Sequence, residues 1–191
     1  MRIVKPSVEF FGSVPTEHTA ALKFIEKCGR VCYKSEDQIT EDSAEGFVRK
    51  LIKAGHLAMV EHSNFVVRVD LTSDRYLPTI ITQAGKYLNV AGSDTSILYV
   101  GGNLTAWYNA LQVVLAAGTS KNIKMFEPFT TNYANLFGIG HIAKENWEVC
   151  PHDEIPKELH RYSAKFICDR GVSHELVRHR PCSFAQESSR Y

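Results

Sequence analysis

A chain of 191 residues, 44% hydrophobic and 23% charged, has the length and composition of one globular domain, which excludes intrinsic disorder, collagen and disulfide miniproteins. Its 22 basic and 21 acidic side chains leave a formal charge of +1, too weak a field to gather a nucleic acid polymer or acidic lipid. No apolar run reaches the roughly 18 residues of a membrane span. The signs are uneven, since residues 161–191 hold six Lys/Arg against three Asp/Glu. Such a basic tail suits a local anion such as a phosphate, and is equally the mark of a solvated helix end.

In chain order, the first predicted helix is capped by Thr16 and carries the stripe Leu22, Ile25, Cys28. A second starts near Glu41, with Ala44, Phe47, Val48, Leu51 and Ile52 at helical spacing and Gly55 placed for a left-handed end. Alternation over 65–72 predicts a half-buried strand, with Phe65, Val67, Val69 and Leu71 on one face and Val66, Arg68, Asp70 and Thr72 on the other. A short strand is expected over 96–100. Gly101, Gly102 and Asn103 follow, then an apolar helix carrying Leu104, Trp107, Leu111 and Leu115 as far as Gly118. Residues 119–156 are broken by Pro128, Gly138, Gly140, Pro151 and Pro156 into short pieces. Residues 161–169 read as a strand, Arg170 and Gly171 as the turn after it, and Ser173 as the start of a short helix that Pro181 ends near Arg180. Strands and helices cluster without regular alternation, which favours α+β over a doubly wound parallel sheet.

Several motifs fail on their context. Gly138-Ile139-Gly140-His141-Ile142-Ala143 spells a dinucleotide fingerprint, but the residues before it look like a helix end and not the buried strand that pattern requires. His174 and His179 are five apart, about 140° around a helix, and cannot clamp one metal from one face. No metal site is expected. The five cysteines, Cys28, Cys32, Cys150, Cys168 and Cys182, are an odd number in a chain whose start lacks a secretory leader, and read as reduced thiols of a cytoplasmic protein. Cys182 follows two arginines and a histidine, so it is either an activated thiol or a small buried side chain.

The constellation that survives is Arg178-His179-Arg180, then seven residues, then Ser188, with Arg190 and Tyr191 after it. The segment 183–190 offers hydroxyls, an amide, a carboxylate and a guanidinium with no core stripe, as a polar ligand cradle would. With the preceding Phe166-Ile167-Cys168-Asp169-Arg170-Gly171-Val172-Ser173-His174-Glu175-Leu176-Val177, this closely resembles the signature of flavin-dependent thymidylate synthases. Upstream, Gly55-His56-Leu57-Ala58-Met59-Val60-Glu61-His62-Ser63-Asn64-Phe65 is similar to the same family's Gly-His, Glu-His, Phe segment.

The resemblance implies an α+β fold with a central, mostly antiparallel sheet flanked by helices. It implies a single domain over 1–191, with a helical insertion around 73–160 and without the family's C-terminal part. The implied reaction is reductive methylation of dUMP to dTMP, with methylenetetrahydrofolate as carbon donor, FAD as hydride carrier and NADPH as reductant. By motif position Arg178, His179 and Arg180 would contact FAD, with His56 beside the flavin and the Ala58 backbone nearby. Arg178 and His56 would be the catalytic pair. Glu175, Arg178, Gln186, Glu187, Ser188, Ser189 and Arg190 would hold dUMP, Arg190 at its phosphate and Ser188 as a ligand, not a nucleophile. Ala185 and Gln186 stand where the family often has Asn and Glu. The family's helical region after the motif, with its further flavin contacts, is not part of this sequence, so weak FAD binding is expected. A homotetramer with shared sites is implied, and the surplus of apolar residues at 113–117 independently points to association or to packing within the chain. The alternative is a non-catalytic nucleotide-binding or assembly module of the same fold.

Overall fold

Two amphipathic helices and an antiparallel sheet close on a set of aromatic rings, and that closure decides where the site lies. The computed structural model describes residues 5–70, 88–92, 96–118, 120–142, 148–179 and 182–187. Strand β1 (Ser7–Ser13) leads to α1 (His18–Tyr33), α2 (Ser43–Lys53), the single turn α3 (Leu57–Val60) and β2 (Phe65–Asp70). Then come β3 (Asn89–Ala91), β4 (Ile97–Gly102), α4 (Leu104–Ala116) and α5 (Glu127–Phe137). Last are β5 (Glu148–Val149), β6 (Tyr162–Ile167) and α6 (Arg170–Leu176). The molecule is α+β. One sheet has the order β3-β4-β2-β5 and a second pairs β1 with β6, every pairing antiparallel.

Strand β2 is central because both its faces are covered. Phe65, Val67 and Val69 join the main core with Leu22 and Ile25 of α1, Val48 of α2 and Trp107 of α4. The opposite face puts Val66 against Cys150, Ile155 and Leu159. The expected alternation is therefore present, and its polar face gains cover at Val66. Leu71 and Thr72, the end of that expected strand, lie outside the described residues. Trp107 is fully buried, with its indole N–H donating to the Phe65 carbonyl at 2.9 Å, so the ring is buried without leaving its polar atom unpaired. Phe65 meets Trp107, Phe129 and Tyr133 edge-on at 5.4–6.1 Å between centroids, a favoured arrangement for aromatic rings. Residues expected as a helical insertion thus contribute strands β3 to β5 as well as two core helices.

Helices α1 and α2 approach closely at Gly29, where an added Cβ would lie 2.7 Å from the Phe47 ring. Their contact also encloses a polar network. Glu26, 1% exposed, accepts from Arg30 at 2.8 Å and from Ser43 at 2.9 Å, and Arg30 reaches Gln38 at 3.2 Å. A buried carboxylate is tolerated when its partners are in place.

Three boundaries differ from expectation. Glu17, not Thr16, caps α1, its carboxylate accepting from the Thr19 and Ala20 amides at 2.9 and 2.8 Å. Those two bonds hold its acid below the usual carboxylate range. The strand expected to end at Val100 continues through Gly101 and Gly102, paired with Val66 and Phe65. Helix α6 begins at Arg170, three residues early, because the Asp169 carboxylate accepts from the Val172 amide at 3.0 Å and starts the helix there. It ends at Leu176, so Arg178 lies in the turn after it. No helix among the described residues is long and apolar enough to cross a membrane.

Candidate functional site

The His56 half of the site is made by a helix end. Gly55 has φ +74°, a left-handed conformation that suits glycine. Its amide reaches the Ile52 carbonyl at 3.0 Å, and the His56 amide the Leu51 carbonyl at 2.9 Å. The chain thereby reverses out of α2 and places His56 immediately before α3. A groove of about 330 Å³ opens there, lined by Cys32, Tyr33, His56, Leu57, Ala58 and Met59. His56 Nδ1 lies 2.8 Å from Tyr33 Oη, and the two rings are nearly parallel, 13° apart.

The other half is the segment after α6. Ser183 Oγ donates to Glu61 at 3.0 Å, and Lys34 pairs with Glu187 at 2.8 Å. The Gln186 backbone lies against the Cys32 thiol and the Phe184 backbone against His62. Residues 183–187 therefore run along the last turn of α1 and the turn after α3. Of the residues singled out from sequence, His56, Ala58, Gln186 and Glu187 come to one neighbourhood within one chain. Gln186 also donates to Ser173 Oγ at 2.9 Å, tying the segment back to α6.

Arg178 is elsewhere engaged. It pairs with Glu175 at 2.9 Å, both side chains largely exposed, so the expected flavin ligand and the expected uracil ligand face each other. His179 is exposed, with its amide on the Leu176 carbonyl at 3.1 Å. No hydrogen bond or ion pair among the described residues joins Arg178 or His179 to His56. Arg180, Ser188, Ser189 and Arg190 lie outside the described residues. Cys182 is exposed, against the expectation of a buried side chain.

Burial is the leading cause of the shifts among the cysteines and around Glu61. Burial pushes the Cys28 thiol up to about 12 and the Cys150 thiol up to about 11, so neither supplies a thiolate at neutral pH. Burial also raises Cys32, opposed by the Gln186 backbone. His62 is lowered by burial, with the Phe184 backbone and Glu61 acting against that. Glu61 also opposes the lowering that burial imposes on Arg161. Tyr33 and Lys34 escaped sequence reasoning because nothing at the end of an amphipathic helix marks them. Glu61 carried a signal, as the acid of the Glu-His step in the upstream motif.

A second groove, of about 360 Å³, lies among Arg49, Lys53, Tyr108, Asn135 and Phe137 and shares Leu57 with the first. Its Arg49 is already paired with Glu45 at 2.6 Å, and none of the flavin or dUMP ligands that the resemblance implies lines it.

No curated protein and no solved structure matches the chain. Residues 16–81 match the model of the Thy1 family, described as thymidylate synthase complementing protein. The matched stretch holds α1, α2, the Gly55-His56 turn and β2, while the Arg178-His179-Arg180 segment lies beyond it. The match thus covers about a third of the chain, the part that builds the His56 groove.

Proposed function

We propose that the protein takes part in reductive methylation of dUMP to dTMP, with FAD seated at the His56 groove and NADPH and methylenetetrahydrofolate as co-substrates. The observation that carries this reading is the convergence of the His56 groove, inside the family match, with the Gln186 and Glu187 segment on the same turn of α1. The groove fits part of a flavin. Its volume is at the low end for ligand pockets, enough for a planar ring system and too small for a whole dinucleotide. The parallel Tyr33 and His56 rings offer a flat aromatic face, and Leu57, Ala58 and Met59 an apolar one.

Bound there, the flavin supplies hydride chemistry that no side chain can. The protein's own residues bind and orient. His56 presents an imidazole edge to the groove, and Gln186 and Glu187 offer an amide and a carboxylate suited to a pyrimidine edge. Arg178, with Glu175 as its resting partner, exchanges that exposed carboxylate for an anionic ligand at little cost, because exposed ion pairs contribute about 0–1 kcal/mol. Arg180, Ser188, Ser189 and Arg190 complete the proposed set, Arg190 at the nucleotide phosphate.

The working unit is proposed to be a cytoplasmic homotetramer. Val113 and Leu115 of α4 are 40% and 47% exposed, and the β1–β6 ribbon shows Val8, Phe10, Tyr162 and Phe166 to solvent, surfaces that a second copy would cover. Titration of the chain with FAD, with and without dUMP, tests the reading. A shifted visible flavin band that His56→Ala abolishes is the expected result, followed by dTMP formation when all co-substrates are present. Unperturbed flavin at saturating dUMP would refute it.

A further inference from the structure

The last turn of α1 belongs to no motif, yet it touches both halves of the site. Tyr33 bonds His56 and Lys34 bonds Glu187, each at 2.8 Å. The residue before them, Cys32, meets Met59 through sulfur at 3.5 Å and the Gln186 backbone through its thiol.

Three features make that turn a firm support. Lys34 ends the helix in the left-handed region at φ 49°, uncommon for a residue with a side chain. Its amide and that of Ser35 return to the Val31 and Arg30 carbonyls at 3.4 and 3.2 Å. One turn earlier, Arg30 is clamped between Glu26 and Gln38 and lies over the Phe47 ring at 4.6 Å. The turn is thereby tied into the α1–α2 core, while the groups it holds, His56 and Glu187, are exposed. Exposed side chains with no such anchor sample several rotamers, and a site needs one.

We propose that this turn is the positioning element of the site: Tyr33 sets the ring orientation and tautomer of His56, and Lys34 fixes the Glu187 carboxylate beside the same groove. With the phenol O–H as donor to Nδ1, one of the two directions the 2.8 Å contact allows, Nε2 is the nitrogen that carries the proton in the neutral ring. His56 then offers a donor, not an acceptor, at its free edge. The inference rests on the functional reading for what the groove binds, and on the geometry alone for how His56 and Glu187 are held.

The test begins on the unliganded 191-residue chain. Imidazole ¹⁵N spectra should show neutral His56 with Nδ1 unprotonated and Nε2 protonated. Tyr33→Phe keeps the ring and removes the hydroxyl, and should convert this to a mixture of tautomers. An identical tautomer population in both proteins overturns the proposal. Lys34→Glu should speed amide hydrogen exchange over 183–187 by about two- to fivefold, the scale of an exposed ion pair, and Lys34→Glu with Glu187→Lys should restore it. Failure of the double variant to restore protection overturns the Lys34 role. FAD affinity should fall about three- to tenfold in Tyr33→Phe, the loss expected for one hydrogen bond. A Tyr33-dependent tautomer in a chain that binds no flavin upholds the positioning role and overturns the functional reading. Flavin binding with a Tyr33-independent tautomer does the reverse.

Discussion

Two regions that the sequence singled out for the candidate site, the His56 groove and the Arg178 turn, are held by opposite physics. The His56 groove hangs from a core in which Trp107 is 0% and Phe65 1% exposed, and where each large ring contributes about 1.5–3 kcal/mol by burial. The Arg178 segment hangs from α6 and the β1–β6 ribbon, where Phe10 is 67% and Phe166 53% exposed and α6 buries no residue. A two-stranded ribbon is marginal by itself. The contrast is that the His56 groove is built by this chain's own packing, whereas the Arg178 turn rests on elements that bury little within the chain.

The largest effect expected from that contrast is in the aromatic core. Trp107→Ala should cost about 3–5 kcal/mol, leave the Phe65 carbonyl without its indole partner and remove the His56 groove with the fold, as read by urea denaturation. A loss near 1 kcal/mol would mean the core is not where the stability lies. Next, Glu26→Ala leaves the Arg30 guanidinium inside without its carboxylate, which should cost about 3 kcal/mol. Tyr33 fluorescence or amide exchange across the last turn of α1 should report loosening beyond the global loss.

Gly55→Ala forces a Cβ into a left-handed residue with open space around it, so the cost is backbone strain alone, about 1–2 kcal/mol. A larger loss would show that the His56 turn is packed more tightly than its surroundings suggest. A smaller, pH-dependent effect belongs to His62. Burial lowers its pKa from 6.5, so the unfolded state takes up the proton first as the solution is acidified. This group's contribution is constant above about pH 6.5 and becomes destabilising as pH falls below it. His62→Asn should flatten that part of the stability curve, and an unchanged slope would place the titration elsewhere.

The smallest effect is expected on the ribbon. Phe166→Ser should change the unfolding free energy of the single chain by less than about 0.5 kcal/mol, as for other exposed positions, while lowering the assembly state seen by sedimentation. A loss above about 2 kcal/mol would show that the ribbon packs on its own chain, and the contrast between the regions would fall.

Much of the core was legible in advance because periodicity reports burial directly. Leu22 and Ile25, Val48 and Leu51, Phe65, Val67 and Val69, and Trp107 and Leu111 all stand on the faces their spacing predicted. The left-handed end at Gly55 and the helix before Gly138 were legible for the same local reason, and that helix removes the dinucleotide reading. Starts of helices were less so. Thr16 and Glu17 both have capping oxygens, and only the folded backbone shows that Glu17 reaches two amides. Asp169 competed with Ser173 in the same way, and the competition moved α6 by three residues. The 3-10 segment over 120–126 has no periodic signal at all.

In the candidate site, the chemistry-bearing residues were readable as types and spacings, while their partners were not. Sequence determined that His56 follows a glycine able to turn left-handed, that Arg178 stands four residues after His174, and that Gln186 and Glu187 lie in a stretch without a core stripe. Local rules suffice for these, because they concern neighbours in the chain. Only the tertiary structure decided that Tyr33 meets His56 across 23 positions, that Ser183 meets Glu61 across 122, and that Lys34 holds Glu187. Such contacts depend on how α1 docks against α2 and β2, and docking is set by the summed burial of many side chains, not by any residue that makes the contact.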